Sequence, residues 1–491
     1  MASPEELREV RLQKVDLLRQ NNIDPYPADT NKTHSISQIV TEFESISNQN
    51  QNVTIVGRIM SMRGQGAILF ADLYDGTGRF QIVLKKDDAI SYTGHDVDGF
   101  EIFTETADTG DFIEVTGNLF VTKSGQNSLE VKGWRMLTKS LLPIPDEFYG
   151  LKDQDERYRK RYLDILLDEE VKDLFVKKSK FWDVTRSFFK EREFLEVETP
   201  TLEVTTGGAE ANPFKTYHND FDLNVYLRIS VGELWQKRLM AAGLEKVFEI
   251  GRIYRNEGSS PEHVQEFTNL EFYWAYADYR DCMQLTQELY RKIATEVFGK
   301  TEFTTRGHTF DLAVEWPEID YVSEVKNQTG IDPLLDSEES MKAKLDELGV
   351  KYEGENRERL VDSLWKYCRK NISGPAFLVN HPELVSPLSK QLPDRPHQTQ
   401  RFQIILAGSE VGNGFSELND PVKQSERFDI QEGLLASGDA EAMMKDEEFI
   451  EMLEYGMPPA CGFGFGERLF SFLADKPIRE VQIFPLMKPR E

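Results

Sequence analysis

Apolar and polar residues alternate on either side of a polar loop between positions 248 and 279, in the segment FEIGRIYRNEGSSPEHVQEFTNLEFYWAYADY. This alternation around Gly-Ser-Ser-Pro predicts two antiparallel strands joined by a long hairpin loop. Arg255, Glu257 and Glu271 lie within the strand pattern. Buried charges are costly unless they face a polar partner. The hairpin is either an ordinary structural element or, as these charges favour, part of a site for a ligand with phosphate and ammonium groups.

The amino-terminal part of the chain has shorter patterns. Residues 3 to 22 predict an amphipathic helix with four apolar side chains on one face, Leu7, Val10, Val15 and Leu18. Five strand patterns separated by turns follow: VTIVGRIMSM, AILFADLYD, GRFQIVLKK, DFIEVTGNLFVT and NSLEVKGWRML. Such a series predicts a small closed barrel of the OB type, which binds single-stranded nucleic acid by stacking bases on aromatic side chains.

Composition narrows the class of protein. The 491 residues allow two or three domains, and 39% apolar and 29% charged residues are ordinary for a globular protein. No apolar run reaches the ~18 residues of a transmembrane helix, and the amino-terminal segment lacks the apolar stretch of a signal peptide. Three separated cysteines form neither a metal-ligand spacing nor a disulfide framework. We expect a cytoplasmic protein without a membrane partner.

The net charge of −27 argues against binding nucleic acid through the overall electrostatic field, but local basic patches are still allowed. The segment DERYRKRYLD contains one cluster, made of Arg157, Arg159, Lys160 and Arg161. This cluster is either a nucleic-acid contact or the solvated face of a linker helix.

The predicted hairpin resembles motif 2 of the class II aminoacyl-tRNA synthetases in its lysine-specific form. The matching residues are Arg255-Asn256-Glu257-Gly258, Glu266-Phe267-Thr268, Glu271-Phe272-Tyr273 and Ala275 to Tyr279. The two other motifs of the family occur in the expected order. A helical pattern followed by REFLEVETP, ending at Pro200, resembles motif 1, which builds the family's dimer interface; Pro200 is expected to end a strand. PPACGFGFGERL resembles motif 3, and its alternating glycines leave a bare strand face that a flat ring can approach.

The resemblance implies lysine as the amino-acid substrate. Lysine carries two ammonium groups and one carboxylate, so its site needs anions at both ends and a cation between them. The segment GSEVGNGFSELND is nearly identical to the lysine-specific signature of the family. The resemblance implies that Glu417, Glu271 and Tyr273 hold the ε-ammonium group and that Phe415 packs on the aliphatic stem.

The other end of lysine has its own implied partners. By the resemblance, Arg255 and Asn413 hold the carboxylate, and Glu233 holds the α-ammonium group. The loop TTGGA folds over the amino acid in the family, so that the carbonyl oxygen of Gly208 accepts a hydrogen bond from the α-ammonium group.

The resemblance also implies ATP as a substrate and Mg²⁺ as a cofactor. Arg255 and Arg468 are the implied catalytic residues. The implied ATP-binding set is Arg255, Glu257, His263, Phe267, Glu410 and Arg468. In this arrangement Phe267 and Arg468 hold the adenine between them by stacking and cation–π attraction.

Three positions depart from the family pattern. Glu262 stands where the family has an arginine that contacts the triphosphate, and Gln403 stands where it has a metal-binding carboxylate. The SVGELW segment around Glu233 is one residue longer than usual. Glu410 is therefore the implied metal ligand, and Gln403 is a doubtful second one.

In the barrel, the resemblance implies an anticodon-binding domain. Phe70 would stack on an anticodon base, Gln81 would read one, and Arg63 would lie nearby. Taken alone, Phe70 is more simply interpreted as a core residue of the barrel. Gln126 occupies a position where the family usually has a glutamate.

The expected fold class is α+β. Residues 1–140 are expected to form the amino-terminal helix and OB-fold anticodon-binding domain, and residues 141–166 a hinge. Residues 167–491 are expected to form the class II catalytic domain, an antiparallel sheet flanked by helices, in which 300–375 carry little motif information.

The expected function is ATP-dependent activation of lysine to lysyl-adenylate and transfer of lysine to tRNA(Lys), by a homodimer. Two alternatives stay open. An aspartyl- or asparaginyl-type synthetase shares the fold but needs a cation or an amide-sensing group where this chain has Glu417. A non-catalytic tRNA-binding paralogue is favoured by Glu262 and Gln403.

We predict a high Mg²⁺ requirement for adenylate formation, because Gln403 offers a neutral amide oxygen in place of a carboxylate ligand. Gln403→Glu should lower that requirement, unless Glu262→Arg is also needed to balance the added charge. The measurement is a Mg²⁺ titration of adenylate formation in the parent, the single variant and the double variant. Superimposable curves would show that position 403 does not bind metal.

Overall fold

The structure, a computed structural model, describes residues 3–145, 150–209, 211–352, 354, 356–439 and 441–490. Its internal contacts divide the chain into two units, Met1–Leu151 and Lys152–Glu491. The division falls inside the segment 141–166 that the sequence assigned to a hinge. No helix in the described part of the chain is long and apolar enough to cross a membrane.

The first unit is a barrel with four helices. The helices are α1 (Pro4–Gln20), α2 (Ile36–Thr41), α3 (Phe43–Asn48) and α4 (Gly99–Thr106). The strands are β1 (Val53–Gln65), β2 (Ile68–Tyr74), β3 (Arg79–Lys85), β4 (Ser91–Tyr92), β5 (His95–Asp98), β6 (Phe112–Val121) and β7 (Asn127–Thr138). The sheet order is β3-β2-β1-β6-β7-β4-β5, and an additional pairing of β3 with β7 closes the barrel.

The five strands predicted from the sequence are confirmed as β1, β2, β3, β6 and β7. The β4–β5 hairpin and helix α4 were not expected. Helix α4 packs against the buried Trp134, whose indole lies 5.0 Å from the Phe103 ring and donates a hydrogen bond of 2.7 Å to the carbonyl oxygen of Gly99. The polar tip of a buried tryptophan thus has the partner it requires.

Helix α1 is capped by Ser3 as its polar start predicts, but its buried face differs from the expected one. Val15 and Leu18 are buried, whereas Val10 is 49% exposed. Arg11 takes the buried position beside it and donates hydrogen bonds to Ser140 and to the carbonyl oxygen of Thr109. The expectation that Val10 is buried was wrong. Periodicity favours an apolar residue on the buried face, but Arg11 can be buried there because its charged group has hydrogen-bond partners.

The second unit contains a large sheet flanked by helices. The helices are α5 (Gln154–Arg159), α6 (Arg161–Leu167), α7 (Glu169–Lys190), α8 (Glu233–Ala241), α9 (Tyr279–Ile293), α10 (Tyr321–Thr329), α11 (Glu338–Glu347), α12 (Arg357–Cys368), α13 (Pro421–Ala436), α14 (Glu447–Tyr455) and α15 (Glu467–Leu473). A π-helical turn spans Ala294–Phe298, and 3₁₀ turns span Arg369–Asn371 and Glu383–Val385.

The strands of this unit are β8 (Leu195–Glu196), β9 (Leu202–Glu203), β10 (Lys215–His218), β11 (Leu223–Leu227), β12 (Lys246–Tyr254), β13 (Glu266–Ala275), β14 (Glu302–Thr305), β15 (His308–Asp311), β16 (Glu318–Asp320), β17 (Ala376–Val379), β18 (Arg401–Leu406), β19 (Ser409–Ser416) and β20 (Ala460–Gly466). The main sheet has the order β16-β17-β18-β19-β20-β13-β12-β8. Its six central strands are antiparallel, and only the end strands β8 and β16 pair in parallel.

The hairpin predicted around the Gly-Ser-Ser-Pro loop is confirmed as β12 and β13, with Phe248 opposite Phe272 and Ile253 opposite Phe267. The Gly-Phe strand of motif 3 is β20, which pairs with β13 on one side and with β19 on the other. The three strands that carry most of the expected site residues are therefore neighbours at the centre of the sheet.

Two local expectations were wrong. Strand β8 ends at Glu196, so Pro200 does not end it and lies in the connection to β9. In the basic cluster, Arg161 is buried and pairs with Asp164 at 2.5 Å, so it is neither a nucleic-acid contact nor part of a solvated face. Arg157 also pairs with Asp164, at 2.8 Å, because the cluster packs on its own acidic neighbours.

The segment 300–375, which carries little motif information, folds into the β14–β15 hairpin, β16 and helices α10 to α12. The three helices share a hydrophobic cluster that includes Val325, Leu345 and Trp365. This cluster fixes α12, whose outer residues line the cavity described next.

Candidate active site

A cavity of about 480 Å³ is lined by residues of β13, β19 and β20, of helices α8 and α12, and of the β12–β13 loop. All fourteen residues that the sequence assigned to amino-acid, nucleotide or metal binding line this one cavity: Gly208, Glu233, Arg255, Glu257, His263, Phe267, Glu271, Tyr273, Gln403, Glu410, Asn413, Phe415, Glu417 and Arg468. The structure thus brings together positions that are up to 260 residues apart, from 208 to 468.

Glycines make room for the charged side chains on the cavity floor. A Cβ atom at Gly462 would lie 2.4 Å from Glu417 Oε1 and 2.4 Å from the Tyr273 ring. A Cβ atom at Gly464 would lie 2.9 Å from Glu271 Cγ. The bare face expected of the Gly-Phe strand therefore accommodates two carboxylates and a tyrosine.

One end of the cavity holds three buried carboxylates, Glu233, Glu271 and Glu417, around a single buried cation, Lys237. The Lys237 ammonium nitrogen lies 2.7 Å from Glu233 Oε1 and 2.5 Å from Glu417 Oε2. It also faces the Phe415 ring at 5.2 Å. Glu271 instead accepts hydrogen bonds from the backbone N–H of Val231, at 2.7 Å, and from the Tyr273 hydroxyl, at 3.3 Å. This end therefore has an excess of negative charge.

Burial and neighbouring charges shift the pKa values of Glu271, Glu417 and Lys237. Burial and the neighbouring Glu233 raise the pKa of Glu271 to about 7. Burial raises the pKa of Glu417 to about 8, although Lys237 opposes the shift. Burial alone would lower the pKa of Lys237, but Glu233 and Glu417 raise it instead. Near neutral pH the site therefore contains a charged lysine and two carboxyl groups, Glu271 and Glu417, that readily take up or release protons.

Next to the carboxylates, Arg401 fixes the orientation of Asn413. Arg401 Nε donates a hydrogen bond of 2.8 Å to Asn413 Oδ1. Because the amide oxygen is engaged in this way, the amide nitrogen of Asn413 is the group left to donate to a ligand. A second contact, from Arg401 to Ser386 Oγ at 3.1 Å, holds the guanidinium in place.

Arg255 supplies cationic donors between the two ends of the cavity. It lies over the Phe267 ring, with its guanidinium carbon 5.7 Å from the ring centre. Its Nη2 donates a long hydrogen bond of 3.5 Å to the carbonyl oxygen of Ile229, and its buried Nε makes no hydrogen bond with the described residues. A buried guanidinium with unused donors is suited to an anionic ligand.

The other end of the cavity contains Glu410 and Arg468. Arg468 Nη1 donates a hydrogen bond of 3.2 Å to the carbonyl oxygen of Glu410. Glu410 Oε1 accepts one of 2.8 Å from the Trp365 indole. Burial opposes ionisation of Glu410, but Arg369 and the Trp365 hydrogen bond hold its pKa below the ordinary value. Glu410 is therefore an ionised carboxylate among arginines.

The residues at this end fit a magnesium ion only together with another source of oxygen ligands. Gln403 Oε1 lies 3.1 Å from His381 Nε2, so its amide already has a partner within the protein. Among the residues that the structure describes, no group of three or more His, Cys, Asp or Glu side chains is arranged to hold a metal ion. Glu410 is an ionised carboxylate at this end and can serve as a hard oxygen ligand.

In the β12–β13 loop, Glu262 does not act as a free anion. It pairs with Arg306, and its Oε2 accepts a hydrogen bond of 3.0 Å from Ser409 Oγ. Its neighbour His263 has a pKa lowered to about 4 by burial and by Arg468, so this histidine is neutral at pH 7.

On the barrel unit, the three residues assigned to anticodon binding are adjacent. Arg63 lies opposite Phe70 in the β1–β2 pairing, and its guanidinium carbon is 5.8 Å from the Phe70 ring centre. Arg63 Nη2 donates to Gln81 Oε1 at 2.6 Å, and Gln81 Nε2 donates to Ser128 Oγ at 2.6 Å. Phe70 is only half-buried and lies outside the barrel core, so the interpretation as a core residue was wrong.

Sequence reasoning missed two side chains that line the cavity, Arg401 and Arg369, and it missed Lys237, which pairs with two of the cavity's carboxylates. Lys237 had a signal, because it lies four residues after Glu233 on a helix, a spacing that places both side chains on one face. Arg401 and Arg369 had none, since each acts across strands or from a segment without motifs.

Comparison with known proteins identifies the family. Residues 153–488 match the family "tRNA synthetases class II (D, K and N)", and residues 53–137 match "OB-fold nucleic acid binding domain". Both parts of the expected fold are thereby confirmed. Among the similar proteins, the lysine–tRNA ligase of Moorella thermoacetica is 42% identical over 492 residues, which is 99% of this chain and 98% of the relative. That of Bacillus subtilis is 40% identical over 495 residues, 98% of this chain and 97% of the relative.

A third relative, the lysine–tRNA ligase of a Roseiflexus species, is 42% identical over 492 residues, 99% of each chain. The chain therefore belongs to the class II tRNA synthetases, and within that class to the lysine–tRNA ligases.

We predict that Lys237→Met destabilises the fold in a pH-dependent way. The folded protein holds the Glu417 proton up to about pH 8, against an ordinary value of 4.5, so this group costs stability as pH rises through that range. Without Lys237 the cost grows, and the free energy of unfolding should fall by about 3–5 kcal/mol at pH 8.5, as for a broken buried ion pair.

At pH 6 the loss should be smaller, because Glu417 is largely protonated in both proteins. Urea denaturation at the two pH values measures the difference, with exposed Lys177→Met as the control that should match the parent. An equal loss at both pH values would contradict the assigned ion pair.

Proposed function

We propose that the cavity binds lysine at its carboxylate end and ATP at its arginine end, and that the chain forms lysyl-adenylate there before transferring lysine to tRNA(Lys). The observation that carries this assignment is the cluster of three buried carboxylates beside an arginine with unused donors. The membership of the chain in the lysine–tRNA ligases supports it.

The charges in the cavity match lysine. Glu233, Glu271 and Glu417 carry up to three negative charges, and Lys237 supplies one positive charge. The α- and ε-ammonium groups of lysine would bring the number of cations to three, so the occupied site would be neutral. A neutral set of paired charges is the arrangement that a buried site requires. Asparagine would leave one carboxylate without a cation, and aspartate would add a further carboxylate of its own, which argues against that alternative.

The two ends of lysine would have different partners. Glu417 and Glu271, with the Tyr273 hydroxyl, would accept from the ε-ammonium group while Phe415 packs on the stem. Since Glu271 and Glu417 have pKa values of about 7 and 8, arrival of the ammonium group would release protons near neutral pH. Glu233 would hold the α-ammonium group.

The Gly208 carbonyl would accept a further hydrogen bond from that group. A Cβ atom at Gly208 would lie 2.6 Å from Glu233 Cβ, so only glycine allows this close approach of the loop. Asn413 and Arg255 would donate to the lysine carboxylate.

In the first reaction step, a carboxylate oxygen of lysine attacks the α-phosphorus of ATP while the bond to the β-phosphate oxygen breaks and pyrophosphate leaves. Arg255 would neutralise charge on the α-phosphate and Arg468 charge on the outer phosphates. Phe267 would stack on adenine. No protein nucleophile is required, because the substrate carboxylate is itself the nucleophile.

Mg²⁺ would be held by Glu410 together with phosphate oxygens, and it would supply neutralisation of the triphosphate charge. Glu257 and neutral His263 complete the nucleotide end of the cavity. In the second step the terminal ribose hydroxyl of tRNA attacks the carbonyl carbon of lysyl-adenylate, and AMP leaves.

The barrel would bind the anticodon. A half-exposed Phe70 beside Arg63 presents an aromatic face and a cation on one surface, which suits a stacked base. Gln81 would read a base edge, because Arg63 and Ser128 fix its amide in one orientation.

We expect the chain to act as a homodimer in the cytoplasm. The segment from β8 to β11 exposes five large apolar side chains: Leu195 51%, Leu202 51%, Val204 65%, Tyr217 50% and Phe221 68%. Apolar side chains gathered on one exposed segment favour a protein interface. A two-fold symmetric interface through motif 1 would cover them.

Lysine-dependent exchange of pyrophosphate into ATP tests the proposed function directly. The parent should show this exchange. Glu417→Gln should weaken the binding of lysine by roughly 2 to 4 kcal/mol, because one partner of a desolvated charge pair is lost. Glu203→Gln is the matched control. Glu203 is buried outside the cavity and burial raises its pKa to about 8, so its conversion to a neutral amide should leave KM for lysine unchanged. A KM for lysine in Glu417→Gln equal to that of the parent would contradict the assignment of the carboxylate end to lysine.

We predict a dimer at micromolar concentration, since the class II site is supported across the motif 1 interface. Light scattering should give twice the chain mass of 56.6 kDa. Replacing Val204 and Phe221 by serine should shift the mass towards the monomer. A fully active protein with the monomer mass would refute the dimer.

A further inference from the structure

Arg369 is a cation at the nucleotide end of the cavity that no motif of the sequence marks. It opens the 3₁₀ turn Arg369–Asn371, directly after α12. The packing of α12 in its own hydrophobic cluster, which includes Cys368, sets the position of this turn. The Arg369 side chain lines the same cavity as Glu410 and Arg468.

The donors of Arg369 are poorly used within the protein. Nη1 lies 3.5 Å from the carbonyl oxygen of Gly408, and Nε lies 3.9 Å from Glu410 Oε1. Nε is buried and makes no hydrogen bond with the described residues. Leaving a buried charged donor without a partner costs free energy, so the arrangement is best explained by an anion that arrives with the substrate.

The charge around Arg369 points to an anion with several charges. Arg468 is an electrostatic neighbour of Arg369. Burial lowers the pKa of Arg468 most, Glu262 opposes that shift, and Arg369 lowers the pKa further. Glu410 provides a negative charge, and both arginines help to lower its pKa. Glu262 also acts on Arg468 but is paired with Arg306, so three guanidinium groups face two carboxylates, and a phosphate chain would neutralise the excess of positive charge.

Apart from Arg255, which the proposed function assigns to the α-phosphate, the β12–β13 loop does not provide this positive charge. Glu262 of this loop is an anion that acts on Arg468. Its carboxylate is already paired with Arg306 and Ser409. His263 is neutral at pH 7. A cation for the outer phosphates therefore has to come from another element of the fold.

We propose that Arg369 is a phosphate-binding residue that contacts the outer phosphates of ATP and the pyrophosphate that leaves. This inference rests on the proposed function of the cavity. When the lysine carboxylate bonds to the α-phosphorus, the electron pair of the broken bond goes to the oxygen of the departing pyrophosphate. Arg369 stabilises that added negative charge from the side of α12, together with Arg468.

The test compares Arg369→Met with Lys370→Met. Both variants remove one positive charge from the same turn, but Lys370 is exposed and does not line the cavity. In pyrophosphate exchange, Arg369→Met should raise KM for ATP at least about 10-fold, the loss expected for a hydrogen bond to a charged group. KM for lysine should change less than about twofold. Lys370→Met should match the parent for both substrates.

Calorimetric binding of inorganic pyrophosphate gives a second readout that needs no lysine. Its dissociation constant should rise by a similar factor in Arg369→Met and stay unchanged in Lys370→Met. Arg369→Lys keeps the charge and the aliphatic stem but loses the planar fork, so it should fall between the parent and the methionine variant. If Arg369→Met does not fold, Arg369→Lys carries the comparison, and values equal to the parent would overturn the proposal.

A KM for ATP and a pyrophosphate affinity within about twofold of the parent in Arg369→Met would overturn the inference and leave the proposed function intact. A parent without lysine-dependent exchange would instead overturn the proposed function. Loss of pyrophosphate binding in Arg369→Met would still support the phosphate site in that case.

Discussion

The burial of like charges at one end of a single cavity is the constraint on which the rest of the second unit depends. Two of the three buried carboxylates, Glu233 and Glu417, pair with one internal ammonium group, Lys237. Burial raises the pKa of Glu271 and of Glu417 towards neutrality. Repulsion of this kind persists only where surrounding packing fixes the backbone. The central sheet provides that support, since Glu271 and Glu417 extend from β13 and from the end of β19 onto the bare face of β20.

The same sheet explains why the nucleotide end has the opposite sign. Arg255 follows β12, Arg468 is the second residue of α15, and Glu410 lies on β19. Antiparallel strands place residues that are remote in sequence side by side, so one end of the cavity gathers carboxylates and the other gathers guanidinium groups. A substrate pair with cationic and polyanionic parts can then align along a gradient of charge without movement of the strands.

Much of this arrangement could be predicted from the sequence because the motifs are local. The two strands of the β12–β13 hairpin, the Gly-Phe strand and the five barrel strands each follow from alternation over fewer than fifteen residues. The gathering of fourteen residues in one cavity followed from a resemblance rather than from periodicity. Arg11, Arg161 and Arg369 could not be predicted, because their positions depend on partners that tertiary packing supplies. Lys237 is intermediate, since helical spacing pairs it with Glu233 but does not reveal Glu417.

Helix α12 belongs to two networks at once. Trp365 packs inside the cluster of α10 to α12 and also donates its indole N–H to Glu410 at the nucleotide end. A ligand that binds the folded cavity must therefore also stabilise this cluster against local opening, by an amount set by its concentration relative to its dissociation constant. Amide hydrogens of α10 and α11, which do not contribute to the cavity except at Tyr321, would exchange more slowly when nucleotide is present. Amide exchange in residues 300–375, the segment with little motif information, would then show whether a ligand occupies the cavity, because binding slows the local unfolding of this segment.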